Sequence, residues 1–175
     1  STPLYSAAAS DVYKRQERAP ADRRSGSPIW VAAVLGGCQD IARSEMGRRL
    51  RESCVPLAHR RCDEIHFRYA GSTERLLDLR TVQSLFLRRD FPVKRPRRLL
   101  SPEHVNALVE LVKEACSISS NPPRHGLRLD AAGAGSPTMR RLGKTLAAYA
   151  SRSFAPENGD CLVVLRPGDK GWEVL

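Results

Sequence analysis

The stretch Ile29–Leu35 reads Ile-Trp-Val-Ala-Ala-Val-Leu, an apolar run that stops at Gly36-Gly37. A short apolar run bounded by turn residues is typical of a β-strand with both faces covered. The segment after it, Asp40–Arg51, places apolar residues four positions apart, which predicts an amphipathic helix. The apolar positions of this helix are Ala42, Met46 and Leu50.

The next segment, Asp63–Tyr69, alternates apolar and polar residues, which predicts a strand with one face toward the core. A short helix at Glu74–Leu79 and a strand at Thr81–Leu87 follow. Residues 29–90 are therefore predicted to form a small βαβαβ domain. In the alternating strand, Ile65, Phe67 and Tyr69 are predicted to point inward, and Glu64, His66 and Arg68 to point outward.

A second group of elements begins at Ser101-Pro102, which provides an N-cap followed by proline in the first helical position. Apolar residues at three- and four-residue spacing continue this helix until Asn121-Pro122-Pro123 ends it. Residues 101–175 are predicted to form an αβαββ domain, so the chain is an α+β protein of two small domains. Its later elements are a strand at Leu127–Ala131, a helix after Ser136-Pro137, and a hairpin of strands Cys161–Arg166 and Trp172–Leu175.

Both ends of the chain differ from this pattern. Residues 1–28 are rich in Ser, Ala, Pro and Arg. The part Ser10–Gln16 resembles translated sequencing-adapter read-through. We therefore interpret residues 1–28 as a disordered tail that is an artefact of read-through. Three acidic residues argue against an organelle transit peptide, although organelle import stays open. The last predicted strand has no closing turn, so we expect a fragment of a longer protein. The acidic residues are Asp11, Glu17 and Asp22.

Charge is the strongest compositional signal. The 175 residues include 29 Lys and Arg against 19 Asp and Glu, a formal net charge of +10, which favours a polyanionic partner such as nucleic acid. No run of about 18 apolar residues occurs, which excludes a membrane-spanning helix. The five cysteines are odd in number and irregularly spaced, as expected of reduced thiols, so we predict a cytoplasmic protein.

The basic residues concentrate in the segment Arg88–Arg98, which we interpret as a linker over residues 91–100. Pro92 and Pro96 are expected to keep its backbone extended, so that its cations follow a phosphate backbone. Phe91 is its one aromatic residue and a candidate for base stacking. The alternative is a solvated linker with no ligand. The candidate RNA-binding residues are Arg88, Arg89, Lys94, Arg95, Arg97 and Arg98.

A smaller basic cluster lies on the predicted helix after Ser136-Pro137. Its apolar residues face one way, and Arg140, Arg141 and Lys144 face the other. An exposed charged face is the ordinary interpretation of such a pattern, and support for the same RNA contact is the functional one.

The loop Ala132–Gly135 follows a predicted strand and precedes a helix, as a loop that binds S-adenosylmethionine does. A β-branched residue, Thr138, fills the third glycine position, and no acidic residue ends a strand about 20 residues later. A plain turn is therefore expected, and a small methyltransferase that uses Gly133 and Gly135 is kept as an alternative.

We predict no metal site and no catalytic residue. Four potential ligands lie close together, but their spacing matches no zinc pattern and no Cys-x2-Cys pair occurs. No Ser/His/Asp or Cys/His arrangement is supported by a local motif. The four residues are Cys54, His59, Cys62 and His66.

Several segments together resemble the N-terminal ferredoxin-like and THUMP region of RNA methyltransferases that contain a THUMP domain. The strand and helix from Leu35 to Leu50, the helix and strand Leu77–Leu87, and the basic segment Lys94–Leu100 are similar to the first part of that region. The order of a strand at Leu127, the helix after Ser136 with Leu142-Gly143, and the hairpin at Asn158-Gly159-Asp160 is similar to the THUMP domain itself.

The resemblance implies that this chain binds tRNA for a downstream domain that is missing here. In that family the missing domain binds S-adenosylmethionine and transfers the methyl group, so no cofactor and no catalytic residue are expected in this chain. The alternatives are the small methyltransferase described above and a basic α+β domain that binds an acidic protein.

Overall fold

The structure is a computed structural model that describes residues 27–119 and 126–175. These residues form an α+β fold, with seven strands in one mixed sheet and four helices. The strands are β1 (Ile29–Val34), β2 (Cys54–Leu57), β3 (Glu64–Tyr69), β4 (Val82–Phe91), β5 (Leu127–Ala131), β6 (Cys161–Gly168) and β7 (Gly171–Val174). The helices are α1 (Gln39–Leu50), α2 (Thr73–Leu77), α3 (Pro102–Ile118) and α4 (Pro137–Tyr149).

The strand order in the sheet is β2-β3-β1-β4-β7-β6-β5. Only β5 and β6 are parallel neighbours, and every other pair of neighbouring strands in the described sheet is antiparallel. The long strand β4 pairs with β1 along most of its length and with β7 at Arg89–Phe91. The β4–β7 pair therefore joins the strands of residues 29–90 and of residues 101–175 into one sheet.

The apolar core lies on the face of the sheet that carries the odd-numbered residues of β3 and β6 and the even-numbered residues of β1. Phe67 and Leu165 on this face are almost fully buried, and they belong to one cluster with apolar side chains of the helices. Fully burying one such side chain stabilises the fold by about 1.5–3 kcal/mol. The inward positions predicted for β3, Ile65, Phe67 and Tyr69, are confirmed as buried.

Most predicted elements are confirmed, with three differences. The edge strand β2 was not predicted, because its four residues include Pro56, which breaks the strand pattern. Strand β4 continues to Phe91 instead of ending at Leu87. The expectation of extended backbone throughout residues 91–100 is wrong, since Pro96–Leu100 forms a 3₁₀ turn. The predicted helix end at 121–123 lies outside the described residues.

None of the helices in residues 27–119 and 126–175 is both long enough and apolar enough to cross a lipid bilayer.

Candidate nucleic-acid interface

The basic segment after β4 is held by one buried anchor. Leu99 is 0% exposed, and the 3₁₀ turn around it is closed by the amide of Arg98, which donates to the carbonyl of Arg95. Because the anchor points into the core, the long cationic side chains beside it are directed outward. The exposed basic residues of this segment are Lys94, Arg95, Arg97 and Arg98.

Helix α4 presents the second basic cluster on its outer face. Its N-cap is Ser136, whose hydroxyl accepts a hydrogen bond from the amide of Met139 at 3.4 Å. Gly143 lets the helix pack closely, because a Cβ there would collide with the ring of Phe154. The buried face consists of Met139, Leu142, Gly143, Leu146 and Ala147, and the exposed face carries Arg140, Arg141 and Lys144.

The two basic clusters lie next to each other, because α4 packs against the 3₁₀ turn Pro96–Leu100. All seven cationic side chains are exposed, and none forms an ion pair with an acidic residue of the part of the chain that the structure describes. We call these seven residues the basic surface. They are Lys94, Arg95, Arg97, Arg98, Arg140, Arg141 and Lys144.

Arg88 does not belong to the basic surface, which corrects its assignment as a phosphate contact. Its side chain is only 14% exposed and binds Asp90 through two hydrogen bonds of 2.8 and 3.1 Å. Its guanidinium also lies 3.5 Å from the carboxylate of Glu173. The charge of Arg88 is therefore compensated within the fold.

Two other residues of the predicted RNA-binding strip are used in packing. Arg89 donates a 2.8 Å hydrogen bond to the carbonyl of Ala107 and lies 3.6 Å from Glu110, so it ties β4 to α3. Phe91 is 3% exposed and packs edge-on against the ring of His104. A buried ring cannot stack on a base, so the stacking role considered for Phe91 is wrong.

The face of the sheet opposite the core contains a buried network of charged residues that the sequence did not indicate. Glu64 and His66 are 8% and 2% exposed, so the prediction that they point into solvent is wrong. Arg166 binds both carboxylate oxygens of Glu64, at 2.5 and 2.6 Å, and reaches Glu173 at 3.0 Å. Glu64 and Arg166 lie 102 positions apart in sequence, and the fold of the sheet brings their side chains into contact.

Hydrogen bonding fixes the role of each nitrogen of His66. A guanidinium only donates, so Nδ1 of His66 accepts from Arg88, and Nε2 donates to Glu64 at 2.7 Å. His59 stacks on the same ring, with centroids 4.5 Å apart. Burial lowers the pKa of His59, and the neighbouring His66 and Arg43 lower it further.

The carboxylate of Glu64 stays charged in this network. Burial alone would raise its pKa, but the hydrogen bonds from Arg166 and His66 outweigh burial and lower the pKa from 4.5 to about 2. The network links side chains of four strands, β3, β4, β6 and β7.

The loop Ala132–Gly135 forms the predicted turn between β5 and α4, and Gly133 adopts a positive φ of 72°. The amide of Ala134 donates to the carbonyl of Ala131, and the amide of Ser136 donates to that of Gly133. These two amides are therefore not directed at a ligand.

The cysteine and histidine residues considered for zinc are distributed over β2, the following loop and β3. Cys62 is exposed and precedes β3, whereas Cys54 is half-buried on β2, where burial raises its pKa to about 11. Within residues 27–119 and 126–175, no group of three or more His, Cys, Asp or Glu side chains has an arrangement suited to a metal ion.

No family model matches this chain, and no curated protein matches its sequence.

Proposed function

We propose that this chain binds RNA, with tRNA as its expected partner, through the basic surface. The proposal rests on one observation: two cationic segments from different parts of the chain lie on adjoining elements, with every cation exposed. An RNA backbone is a dense line of negative charge, and Lys and Arg side chains that replace its counterions gain free energy through the release of those ions.

The position of the cations on α4 supports a ligand with negative charge. The first turn of α4 has no acidic residue, and Arg140 and Arg141 follow at once. Cations near a helix N-terminus are unfavourable by about 0.3–1 kcal/mol, because that end of the helix carries partial positive charge. A phosphate bound there would turn this repulsion into attraction.

We also propose that residues 29–90 correspond to the ferredoxin-like domain and residues 101–175 to the THUMP-like domain of an RNA methyltransferase. The α+β composition supports this correspondence, and the resemblance of the sequence segments motivates it. In this proposal a separate domain binds S-adenosylmethionine, and no residue of this chain has a catalytic role. The cytoplasm is the proposed compartment, since all five cysteines are free thiols.

Removing the positive charge of each basic cluster tests the proposal. The first variant carries Arg140→Gln, Arg141→Gln and Lys144→Gln, and the second carries Lys94→Gln, Arg95→Gln, Arg97→Gln and Arg98→Gln. Each variant is expected to bind unmodified tRNA roughly tenfold or more weakly at about 0.1 M salt, because three or four phosphate contacts are lost. The melting temperature should stay within about 2 °C of the wild-type value, since the substituted side chains are exposed.

A charge-matched control separates a specific surface from net charge. Arg43→Gln, Arg48→Gln and Arg75→Gln remove three exposed cations from α1 and α2. We expect this control to change the affinity less than threefold. Equal losses in the control and in the α4 variant would contradict the proposal, and so would tight binding of an acidic protein that tRNA cannot displace.

A further inference from the structure

Tyr149, the last residue of helix α4, has an exposed aromatic ring. It is 60% exposed, whereas the other Phe, Trp and Tyr side chains in residues 27–119 and 126–175 are buried or half-buried. Leu35, Ile41 and Leu77 are also exposed, but they lie outside α4. Aromatic rings contribute strongly to binding where they are covered by a ligand. The position of Tyr149 on the helix that carries three cations therefore distinguishes it from the other exposed apolar side chains.

Helix α4 places this ring close to the basic surface. Residues four positions apart follow one another along one side of a helix, so Arg141, Thr145 and Tyr149 form a row with a rise of about 6 Å between successive members. Side chains of a helix lean toward its N-terminus, which directs the ring of Tyr149 toward the turn that contains Lys144 and Thr145. Ala148, the residue before Tyr149, is exposed and adds no bulky side chain on that side.

A further cation lies near the end of α4. The residue that follows Tyr149, Ala150, lines a small cavity together with Lys113 of α3, and Lys113 is exposed. Cations are therefore present on α4 before Tyr149 and on α3 beside the residue after it. A nucleotide within an RNA strand has a flat base and a phosphate group on each side. An aromatic ring with cations before and after it is complementary to that arrangement.

We propose that Tyr149 stacks on an unpaired base of the RNA whose phosphate groups contact the basic surface. This inference rests on the proposed function, and it adds a contact with a base to the contacts with phosphate. In a double helix the bases are stacked on one another, whereas an unpaired base can lie flat on an aromatic side chain. Every base has such a flat face, so the contact favours unpaired RNA without requiring a particular sequence.

Binding of two RNA oligomers by the full chain tests this contact. The first is an oligouridylate of about 12 nucleotides, and the second is an abasic oligomer of the same length, which keeps the phosphates and sugars but has no bases. The wild-type chain is expected to bind the oligouridylate at least about fivefold more tightly than the abasic oligomer. Tyr149→Ala should remove this difference, because it weakens binding of the oligouridylate and leaves binding of the abasic oligomer unchanged.

Two further variants complete the experiment. Tyr149→Phe keeps the ring and should bind both oligomers as the wild type does, and so should Ile41→Ala, which removes an exposed apolar side chain from α1. Equal affinity of the wild type for the two oligomers, or an equal effect of Tyr149→Ala on both, would overturn the stacking contact while RNA binding by the basic surface stands. A chain that binds neither the oligomers nor tRNA would overturn both proposals.

Discussion

Glu64 is buried and charged, and its carboxylate is held by Arg166 on one side and by His66 on the other. Arg166 in turn binds Glu173, and Arg88 binds Asp90. In such a network each ion compensates the desolvation of its neighbour, so the loss of one member leaves the next one buried without a partner. The cost of a substitution is therefore expected to exceed that of losing an exposed ion pair.

The variant Glu64→Gln should lower the free energy of unfolding at pH 7 by about 1–3 kcal/mol. The pKa of Glu64 is about 2 in the folded protein and 4.5 when it is unperturbed. Its contribution to stability is thus present above pH 4.5 and is lost as the pH falls toward 2. Urea denaturation at several pH values should show the difference between wild type and variant shrinking over that range. The exposed control is Glu157→Gln, and a difference that is constant with pH would contradict the assignment.

Arg88 and Arg97 are expected to respond in opposite ways to the same substitution. Arg88→Gln removes the partner of Asp90 and should lower the melting temperature by several degrees, as expected for a loss of about 1–3 kcal/mol. Arg97→Gln should leave the melting temperature unchanged and weaken tRNA binding severalfold. Thermal denaturation and a binding titration on both variants distinguish these roles. If Arg88→Gln weakened tRNA binding without lowering the melting temperature, Arg88 would belong to the RNA interface after all.

At the scale of elements, α1 is joined to the start of β4 by one acidic side chain. The carboxylate of Glu45 accepts hydrogen bonds from the amides of Arg80 and Thr81 and from the hydroxyl of Thr81. The hydroxyl bond is the main reason that the pKa of Glu45 falls to about 2; burial opposes this shift. The side chain of Glu45 thus ties α1 to the residues that lead into β4.

The variant Glu45→Ala is expected to destabilise the protein by about 2–4 kcal/mol, because two backbone amides and a hydroxyl lose their acceptor. Chemical denaturation measures this loss. Glu52→Ala, at an exposed site just after α1, should change the stability by less than about 0.5 kcal/mol. Equal effects of the two substitutions would show that the hydrogen bonds of Glu45 contribute little to the stability of the protein.

Local patterns were sufficient to predict the main elements. The apolar run of β1, the capped start of α4 and the alternation of β3 each depend on residues close in sequence. The burial of Glu64 could not be predicted, because its partner Arg166 lies 102 positions away. For the candidate site, the exposed cations were found from composition, but the sequence alone did not show that Arg88 is half-buried and paired with Asp90 and Glu173.

For the whole molecule, the shared sheet has a consequence for unfolding. Residues 29–90 and 101–175 contribute to one apolar cluster, and β4 pairs with strands of both. We therefore expect a single cooperative thermal transition, with equal midpoints by far-UV circular dichroism and by tryptophan fluorescence. Trp30 lies in β1 and Trp172 in β7, so the fluorescence signal has a contribution from each half. Two separate transitions would show that the halves fold as independent domains.

The salt dependence of tRNA binding tests most directly whether the basic surface contacts phosphate groups. If about five of its seven cations contact a single-stranded backbone, log K should fall with log salt concentration at a slope near −3.5, a loss on the order of 100-fold over a fourfold rise in salt. A variant with all seven cations replaced by Gln should have a slope near zero. A slope that is flat for the wild-type chain, or that is the same for both proteins, would contradict RNA binding by this surface.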